Sequence, residues 1–257
     1  MPSLKFYYLN GNPMKILSLT LGILLGITSV SSIAKPNPPF YFFIQGIYSS
    51  TVTINRASQL FGELTHPLAQ PITFKTGPTI DKIEAAINTQ ELDVLFWGYS
   101  DKLNDFMKRN GYEHILSSYL PMHLYQFENG PQTMSDTPKI GVLVDSTALY
   151  SAELFYAKQN IKPEIVEFDN YFVMMQACFR KELDFILAAR TFIIPQPEAI
   201  QKKFAEVQRL PSQARASFWI KASASDIVKH AFVQYINEKK TILANTFGTD
   251  EFLKPDF

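Results

Sequence analysis

The chain has 257 residues, of which 46% are hydrophobic and 14% aromatic. This composition supports a sizeable folded core and excludes a disordered chain. The 24 basic and 24 acidic residues cancel, so no basic excess indicates a nucleic-acid surface, and we expect no nucleic-acid partner.

The first stretch of the chain predicts export. Lys15 precedes an uncharged apolar run at 16–30, and small residues stand at Ser32 and Ala34. A charged start, an apolar stretch and a small-x-small site are typical of a cleaved signal peptide, here residues 1–34. The run is shorter than the roughly 20 residues of a membrane span. A retained N-terminal anchor is the alternative interpretation.

We therefore expect a periplasmic protein whose mature chain begins at Lys35, with Met14 as an alternative start. The single cysteine, Cys178, allows no internal disulfide. In an oxidising compartment a lone thiol is best buried, so we expect Cys178 to pack in the core rather than act as a nucleophile.

The mature chain opens with alternating strand and helix patterns. Apolar runs predict buried strands at 40–45, 71–75 and 92–97. Capped or amphipathic stretches predict helices at 52–64, 79–88 and 103–110. An extended aromatic stretch follows at 118–127.

The same alternation restarts at Lys139. It predicts strands at 140–144, 164–168 and 184–189, with helices at 147–159 and 171–182 between them. A helix near 198–205, strands at 207–210 and 217–221, and a long helix at 225–243 complete the pattern.

Two rounds of alternation predict an α/β protein with two lobes, each a mainly parallel sheet flanked by helices. The predicted lobes are 35–125 and 126–193, and 194–257 returns to the first. The chain would cross between them near 124–132 and 190–196. Because open α/β sheets bind ligands at the carboxyl ends of their strands, the expected site is the cleft between the lobes.

The stretch from Lys139 to Lys158 carries the clearest candidate site. Asp145, Ser146 and Thr147 lie between a predicted strand and a predicted helix, and each can cap the helix. The free N–H groups and positive dipole end of that helix, with both hydroxyls and Ala148, could hold an anion. The alternative is that these residues merely cap the helix.

Other candidate ligand contacts stand at predicted strand ends. Tyr48 and Ser49 lie in the loop after the first strand, and Trp97 and Tyr99 flank the end of the third. The aromatic rings would stack on an organic ligand, although Trp97 is equally explained as a core residue. Arg190 follows the last strand of the second lobe and would neutralise an anion.

Catalytic and metal-binding patterns are absent from the sequence. The four histidines are scattered without metal-ligand spacing, and no P-loop, GxSxG or GxGxxG motif occurs. We therefore expect a binding protein without a cofactor, and a secreted enzyme is the weaker alternative.

Several of these segments, taken together, resemble a known family. They are the exit through 46–48, the third strand at 92–99, the strand and helix start at 139–148, and the stretches at 168–171 and 183–187. In this order they resemble the type II periplasmic solute-binding proteins. Within these, the chain is most similar to the phosphate/phosphite/phosphonate (PhnD-like) receptors of ABC transporters.

The resemblance implies a two-lobed type II periplasmic-binding-protein fold and a monomer. It also implies that the protein delivers a small anionic solute, such as phosphonate or phosphate, to an inner-membrane ABC transporter permease. By position, Tyr48, Tyr99, Ser146 and Thr147 match ligand-facing residues of the family. The chain departs from the family at 148–150, where Ser-Gly is common, and at Tyr99, which replaces the usual proline.

The alternative function is a non-transport receptor or sensor on the same fold. It would bind another small solute, such as an amino acid or organic acid, or a protein partner. Amino-acid receptors of this fold usually carry an arginine just after the third strand, and 98–102 contains none. This disfavours amino acids, although Arg190 could take that role.

Overall fold

The computed structural model describes residues 37–128, 130, 137–157, 162–193, 196–210, 214–247, 249 and 252. The predicted signal peptide, residues 1–34, lies outside this range. The strands, in chain order, are β1 Phe40–Gln45, β2 Ile72–Gly77, β3 Val94–Gly98, β4 Tyr112–Tyr119, β5 Met122–Phe127, β6 Lys139–Leu143, β7 Glu164–Phe168, β8 Phe185–Ala189, β9 Phe204–Arg209 and β10 Arg215–Lys221.

The α-helices lie mostly between these strands. They are α1 Ser50–Phe61, α2 Thr65–Leu68, α3 Ile80–Asn88, α4 Asp101–Arg109, α5 Thr147–Ala157, α6 Tyr171–Phe179, α7 Glu198–Gln201, α8 Asp226–Glu238 and α9 Lys240–Phe247. Short 3₁₀ turns follow α1 and β8, at Gly62–Leu64 and Arg190–Phe192. Every helix in the described part of the chain is too short or too polar to span a bilayer.

The described strands form two five-stranded sheets, which define two lobes. The strand order is β2-β1-β3-β10-β4 in the first lobe and β7-β6-β8-β5-β9 in the second. In each sheet, one strand runs against its two neighbours: β10 in the first and β5 in the second. The other strands of each sheet run in one direction, so the prediction of two α/β lobes with mainly parallel sheets is confirmed.

Both faces of each sheet are covered, which explains the continuous apolar runs of the central strands. On β1, Phe42 packs on one face with α1 and α8, while Phe43 packs on the other face with α3 and α4. In the second lobe, α5 covers one face of the sheet and α6 the other. Cys178 of α6 is buried in the second of these layers, as predicted.

The chain crosses between the lobes at other points than those predicted. The first crossing is at Leu120 and Pro121, between β4 and β5, and the second lies between β9 and β10. The aromatic stretch 118–127 is extended, as expected, but it belongs to two sheets. Because Pro121 has no N–H to donate to a ladder, it suits the break between them.

The same topology changes the assignment of the C-terminal part. The predicted helix at 198–205 ends at Gln201, and Phe204 already begins β9. That strand pairs with β5 and so belongs to the second lobe rather than to the return segment. The long predicted helix at 225–243 is divided into α8 and α9.

We expect the substitution Phe42→Ala to lower the free energy of unfolding by about 3–5 kcal/mol, because it removes a fully buried ring and leaves a cavity. The ring contacts Phe61, Phe74 and Phe232. The matched control is Phe172→Ala, whose ring is 59% exposed, and its effect should stay within about 0.5 kcal/mol. Urea unfolding measures both, and equal losses in the two variants would contradict this description of the core.

Candidate functional site

A cavity of about 110 Å³ lies between the two lobes. It is placed where β1 and β3 of the first lobe and β6 and β8 of the second reach their carboxyl ends, as expected for open α/β sheets. Helices α1, α5 and α9 also contribute to its walls. A cavity of about 150 Å³ accommodates benzene, so this one suits a solute of a few non-hydrogen atoms.

The first-lobe wall is formed by the loops that leave β1 and β3. The backbone N–H of Gly98, at the end of β3, donates to Oε1 of Gln45 at 3.2 Å. A Cβ atom on Gly98 would lie 3.1 Å from Cγ2 of Thr147 in the other lobe. The glycine therefore lets the two lobes approach each other closely at the cavity.

The second-lobe wall is formed by the start of α5. Ser146, Thr147 and Ala148 line the cavity, and α5 begins at Thr147. The hydroxyl of Ser146 donates to the carbonyl of Leu143 at 2.6 Å. A hydroxyl has a single proton to donate, so Ser146 can accept from a ligand but gives no hydrogen bond to an anion in this state. The N–H groups at the start of α5 have no partner within the helix.

Asp145 connects the two lobes through two hydrogen bonds. Its carboxylate Oδ2 accepts from the backbone N–H of Ile80 at 3.0 Å, at the start of α3 in the first lobe. Its backbone carbonyl accepts from Nε1 of Trp97 at 3.1 Å. A carboxylate is favourable at a helix N-terminus because of the helix dipole, so Asp145 stabilises the contact between the lobes.

Tyr48 makes another connection between the lobes. Its hydroxyl donates to the carbonyl of Thr191, and its ring meets Tyr171 edge-on with centroids 5.7 Å apart. The N–H of Tyr171 donates to the carbonyl of Ile47 at 3.1 Å. Burial raises the pKa of Tyr48 to about 12, although the positive charge of Arg56 acts to lower it. The hydroxyl therefore remains protonated and able to donate.

Arg56 and Thr53 of α1 are cavity residues that the sequence reasoning missed. Both line the cavity, and the guanidinium of Arg56 lies 4.5 Å from the ring centroid of Tyr48. The available signal was an arginine inside an apolar helical stripe, next to Ala57 and one turn before Leu60. Among the described residues that line the cavity, Arg56 is the single formally charged one.

The structure brings five of the predicted site residues to the cavity, namely Tyr48, Trp97, Ser146, Thr147 and Ala148. Trp97 is 1% exposed and packs in the core layer between the first sheet and helices α3 and α4. Its indole N–H donates to the backbone carbonyl of Asp145. At the cavity, Trp97 therefore joins the two lobes and does not present an open face on which a ligand could stack.

The other three predicted residues lie away from the cavity. Ser49 is exposed just before α1, and Arg190 is exposed at the start of the 3₁₀ turn after β8. Tyr99 stacks on His114 and Trp219, with ring centroids 5.4 and 6.2 Å away. Strand ends were predicted correctly here, but the direction of each side chain was not. In the described part of the chain, no group of His, Cys, Asp and Glu is suited to hold a metal ion.

No family model and no curated protein matches this chain in sequence. Solved structures match it in fold. A binding protein component of an ABC phosphonate transporter from Pseudomonas aeruginosa has a TM-score of 0.64 at 13% identity, covering 85% of this chain and 82% of that one. A putative L-cystine ABC transporter protein from Listeria monocytogenes has a TM-score of 0.59 at 13% identity, covering 82% and 97%.

A histidine kinase sensor domain with similarity to periplasmic binding proteins also matches. Its TM-score is 0.55 at 13% identity, covering 83% of this chain and 97% of that one. At such identities the likeness establishes the fold alone. The chain has the two-lobed periplasmic-binding-protein fold, and this prediction is confirmed.

We expect the substitution Asp145→Gly to shift the protein towards a more open form. Glycine adopts the φ of 49° found at Asp145 without strain, so the variant tests the carboxylate rather than the backbone. One hydrogen bond to a charged group contributes about 1.5–3 kcal/mol, enough to shift the equilibrium about tenfold to a hundredfold. Small-angle scattering should report a larger radius of gyration.

The matched control for this change is Asp93→Gly. Its carboxylate also accepts from a backbone N–H, that of Tyr41 at 2.8 Å, but within the first lobe. That variant should keep the radius of the unmodified protein. If Asp145→Gly also kept it, the contact would not contribute to closure.

The stacked His114 predicts a pH dependence of stability. Burial lowers the pKa of His114 to about 4, and the charges of Arg215 and Lys108 lower it slightly further. A hydrogen bond with the Leu116 backbone acts in the opposite direction. The unfolded chain takes up this proton near pH 6.5. The stabilisation is therefore complete above about pH 6.5 and is lost as the pH falls towards about 4.

We expect His114→Phe, which keeps a stacked ring, to lose less free energy of unfolding than the unmodified protein between about pH 7 and about pH 5. Urea unfolding at both pH values gives the comparison. Identical losses in the two proteins would show that His114 does not contribute to the acid sensitivity.

Proposed function

We propose that this chain is a solute-binding receptor that captures a small anionic ligand between its two lobes and delivers it to an ABC transporter. The observation that carries the proposal is the cavity itself, which lies at the carboxyl ends of strands from both sheets, where hydrogen bonds also join the lobes. Closure of two lobes around a ligand is a hinge motion that a transporter can sense.

The charge distribution around the cavity supports an anionic ligand. Arg56 supplies a positive charge, and the start of α5 supplies N–H groups and the positive end of a helix dipole. Phosphate and phosphonates, which the family resemblance of the sequence implies, are candidate ligands of this kind. The phosphonate-transporter likeness among the solved structures agrees with this class of solute but extends to other solutes as well.

The export pattern at residues 1–34 supports a periplasmic location. In that compartment the receptor would work as a monomer that docks on an inner-membrane permease. The distribution of apolar and polar residues supports binding rather than catalysis, since the cavity lining combines one arginine with hydroxyls and apolar side chains.

A second candidate function is a sensor of the same fold. Two observations favour it: a histidine kinase sensor domain shares the fold, and the lobes are held together by their own hydrogen bonds through Asp145 and Tyr48. A sensor would respond to a change in lobe closure and pass it to a partner domain or protein instead of a permease.

We expect titration calorimetry with a panel of oxyanions to find binding. The panel is phosphate, phosphite, methylphosphonate, sulfate and acetate. The substitution Thr147→Val removes a hydroxyl at the start of α5, and one hydrogen bond to a charged group is worth about 1.5–3 kcal/mol. We therefore expect affinity for the bound anion to fall about tenfold to a hundredfold.

The matched control is Thr65→Val. Thr65 also begins a helix, but its hydroxyl donates to the carbonyl of Gly62 at 2.9 Å, and it does not line the cavity. The Thr65→Val variant should bind the anion with the same affinity as the unmodified protein. Absence of binding for every small solute tested, with capture of a membrane protein other than a transporter permease, would favour the sensor instead.

A further inference from the structure

Arg56 occupies an unusual position for an arginine. It lies on the inner stripe of α1, between the buried residues Thr53 and Ala57, and is itself half-buried. Its guanidinium is packed over the ring of Tyr48, 4.5 Å from the centroid. Arginine retains its charge under all ordinary conditions, so a permanent positive charge lies at the cavity.

This charge has no carboxylate partner among the described residues. No described Asp or Glu forms an ion pair with Arg56, and none lines the cavity. The aromatic face of Tyr48 compensates for part of the lost hydration. A partly desolvated charge without a full counter-charge is unfavourable, and an anion in the cavity would supply the missing partner.

Thr53, one helical turn before Arg56, gives a second and independent indication. It is 5% exposed and lines the same cavity. Its Oγ1 atom is buried without a hydrogen-bond partner among the described residues. Buried hydroxyls are normally satisfied, so this side chain also lacks a partner that a ligand oxygen would provide.

The single positive charge of the described lining suits an anion of low charge. The Tyr48 hydroxyl donates its hydrogen bond to the carbonyl of Thr191, and the Ser146 hydroxyl donates to the carbonyl of Leu143. A doubly charged phosphate would meet a single formal positive charge in the described lining. A carboxylate has two oxygens and a single charge, which match one guanidinium and a few donors.

Most of the remaining lining is apolar. These apolar walls comprise aliphatic and aromatic side chains from both lobes and from α9, among them Leu60, Phe61, Leu120, Met122, Leu187 and Phe247. Such walls favour a carbon chain next to the charged group. They also disfavour an ammonium group, because the described lining contains no carboxylate to meet it.

We propose that the ligand is a short-chain monocarboxylate, whose carboxylate is held by Arg56 and Thr53 and whose carbon chain packs on the apolar walls of the cavity. This assignment rests on the proposed receptor function and narrows its ligand class. It distinguishes the protein from a receptor for inorganic oxyanions, for which the apolar walls would contribute nothing.

The test is titration calorimetry with acetate, propionate and butyrate, beside inorganic phosphate, the neutral butyramide and the zwitterion 4-aminobutyrate. Burying one methylene strengthens binding about fourfold, so we expect butyrate to bind about fifteenfold more tightly than acetate. Phosphate, butyramide and 4-aminobutyrate should each bind at least about tenfold more weakly than butyrate. Phosphate has no carbon chain for the apolar walls, butyramide has no charge for Arg56, and the ammonium group of 4-aminobutyrate meets no carboxylate in the described lining.

Two variants test the residues. Arg56→Gln should weaken butyrate binding at least about tenfold, whereas Arg109→Gln, on an exposed position of α4, should not change it. Thr53→Val should weaken binding in the same direction. Because it removes an unpartnered buried hydroxyl, it should leave the melting temperature of the free protein equal or raised. Circular dichroism melts establish that each variant is folded.

The outcomes separate the two proposals. If phosphate or butyramide binds as tightly as butyrate, or Arg56→Gln leaves the butyrate affinity unchanged in the folded variant, the monocarboxylate assignment is wrong and the receptor function stands. If neither the carboxylates nor any solute of the oxyanion panel binds, both proposals are wrong. Chain-length dependence together with loss in both cavity variants supports the assignment.

Discussion

Asp145 joins the two lobes, because it bonds two separate elements of the opposite lobe. Its carboxylate meets the start of α3 and its carbonyl meets the indole of Trp97. The left-handed backbone at Asp145, with φ of 49°, turns the chain between β6 and α5. The start of α5 then comes against Gly98, where the absence of a side chain permits close approach. One tight turn thus sets both the contact between the lobes and the wall of the cavity.

The cavity retains groups that the fold alone would not favour. A guanidinium without a described carboxylate partner and a buried hydroxyl without a described partner both carry a free-energy cost in the unliganded state. They lie one turn apart on α1, on the face that meets the cavity rather than solvent. Functional sites commonly retain such groups at the expense of stability. Their common position is the basis of the proposal that one ligand contacts both groups.

The solved structures that share this fold have different functions. Proteins described as phosphonate, cystine and sensor components share this architecture at 13% identity. A fold that hosts several functions does not select among them. The side chains that line the cavity carry that information: one positive charge, several hydroxyls and many apolar groups. Transport and sensing differ in the protein that responds to lobe closure: a permease in transport, and a partner domain or protein in sensing.

The sequence alone determined most strands and helices, the two lobes and the helix start at Ser146 and Thr147, because hydrophobic periodicity and capping residues act locally. It did not predict β4 as a separate strand. It did not determine that β5 and β9 pair in the second lobe, since strand pairing joins segments far apart in the chain. It also did not determine which face of a strand or helix meets the cleft. For that reason Tyr99 and Arg190 were expected at the site but point elsewhere, and Arg56 was overlooked within an apolar stripe. Tertiary structure decided these positions because the cleft exists only where the two sheets meet.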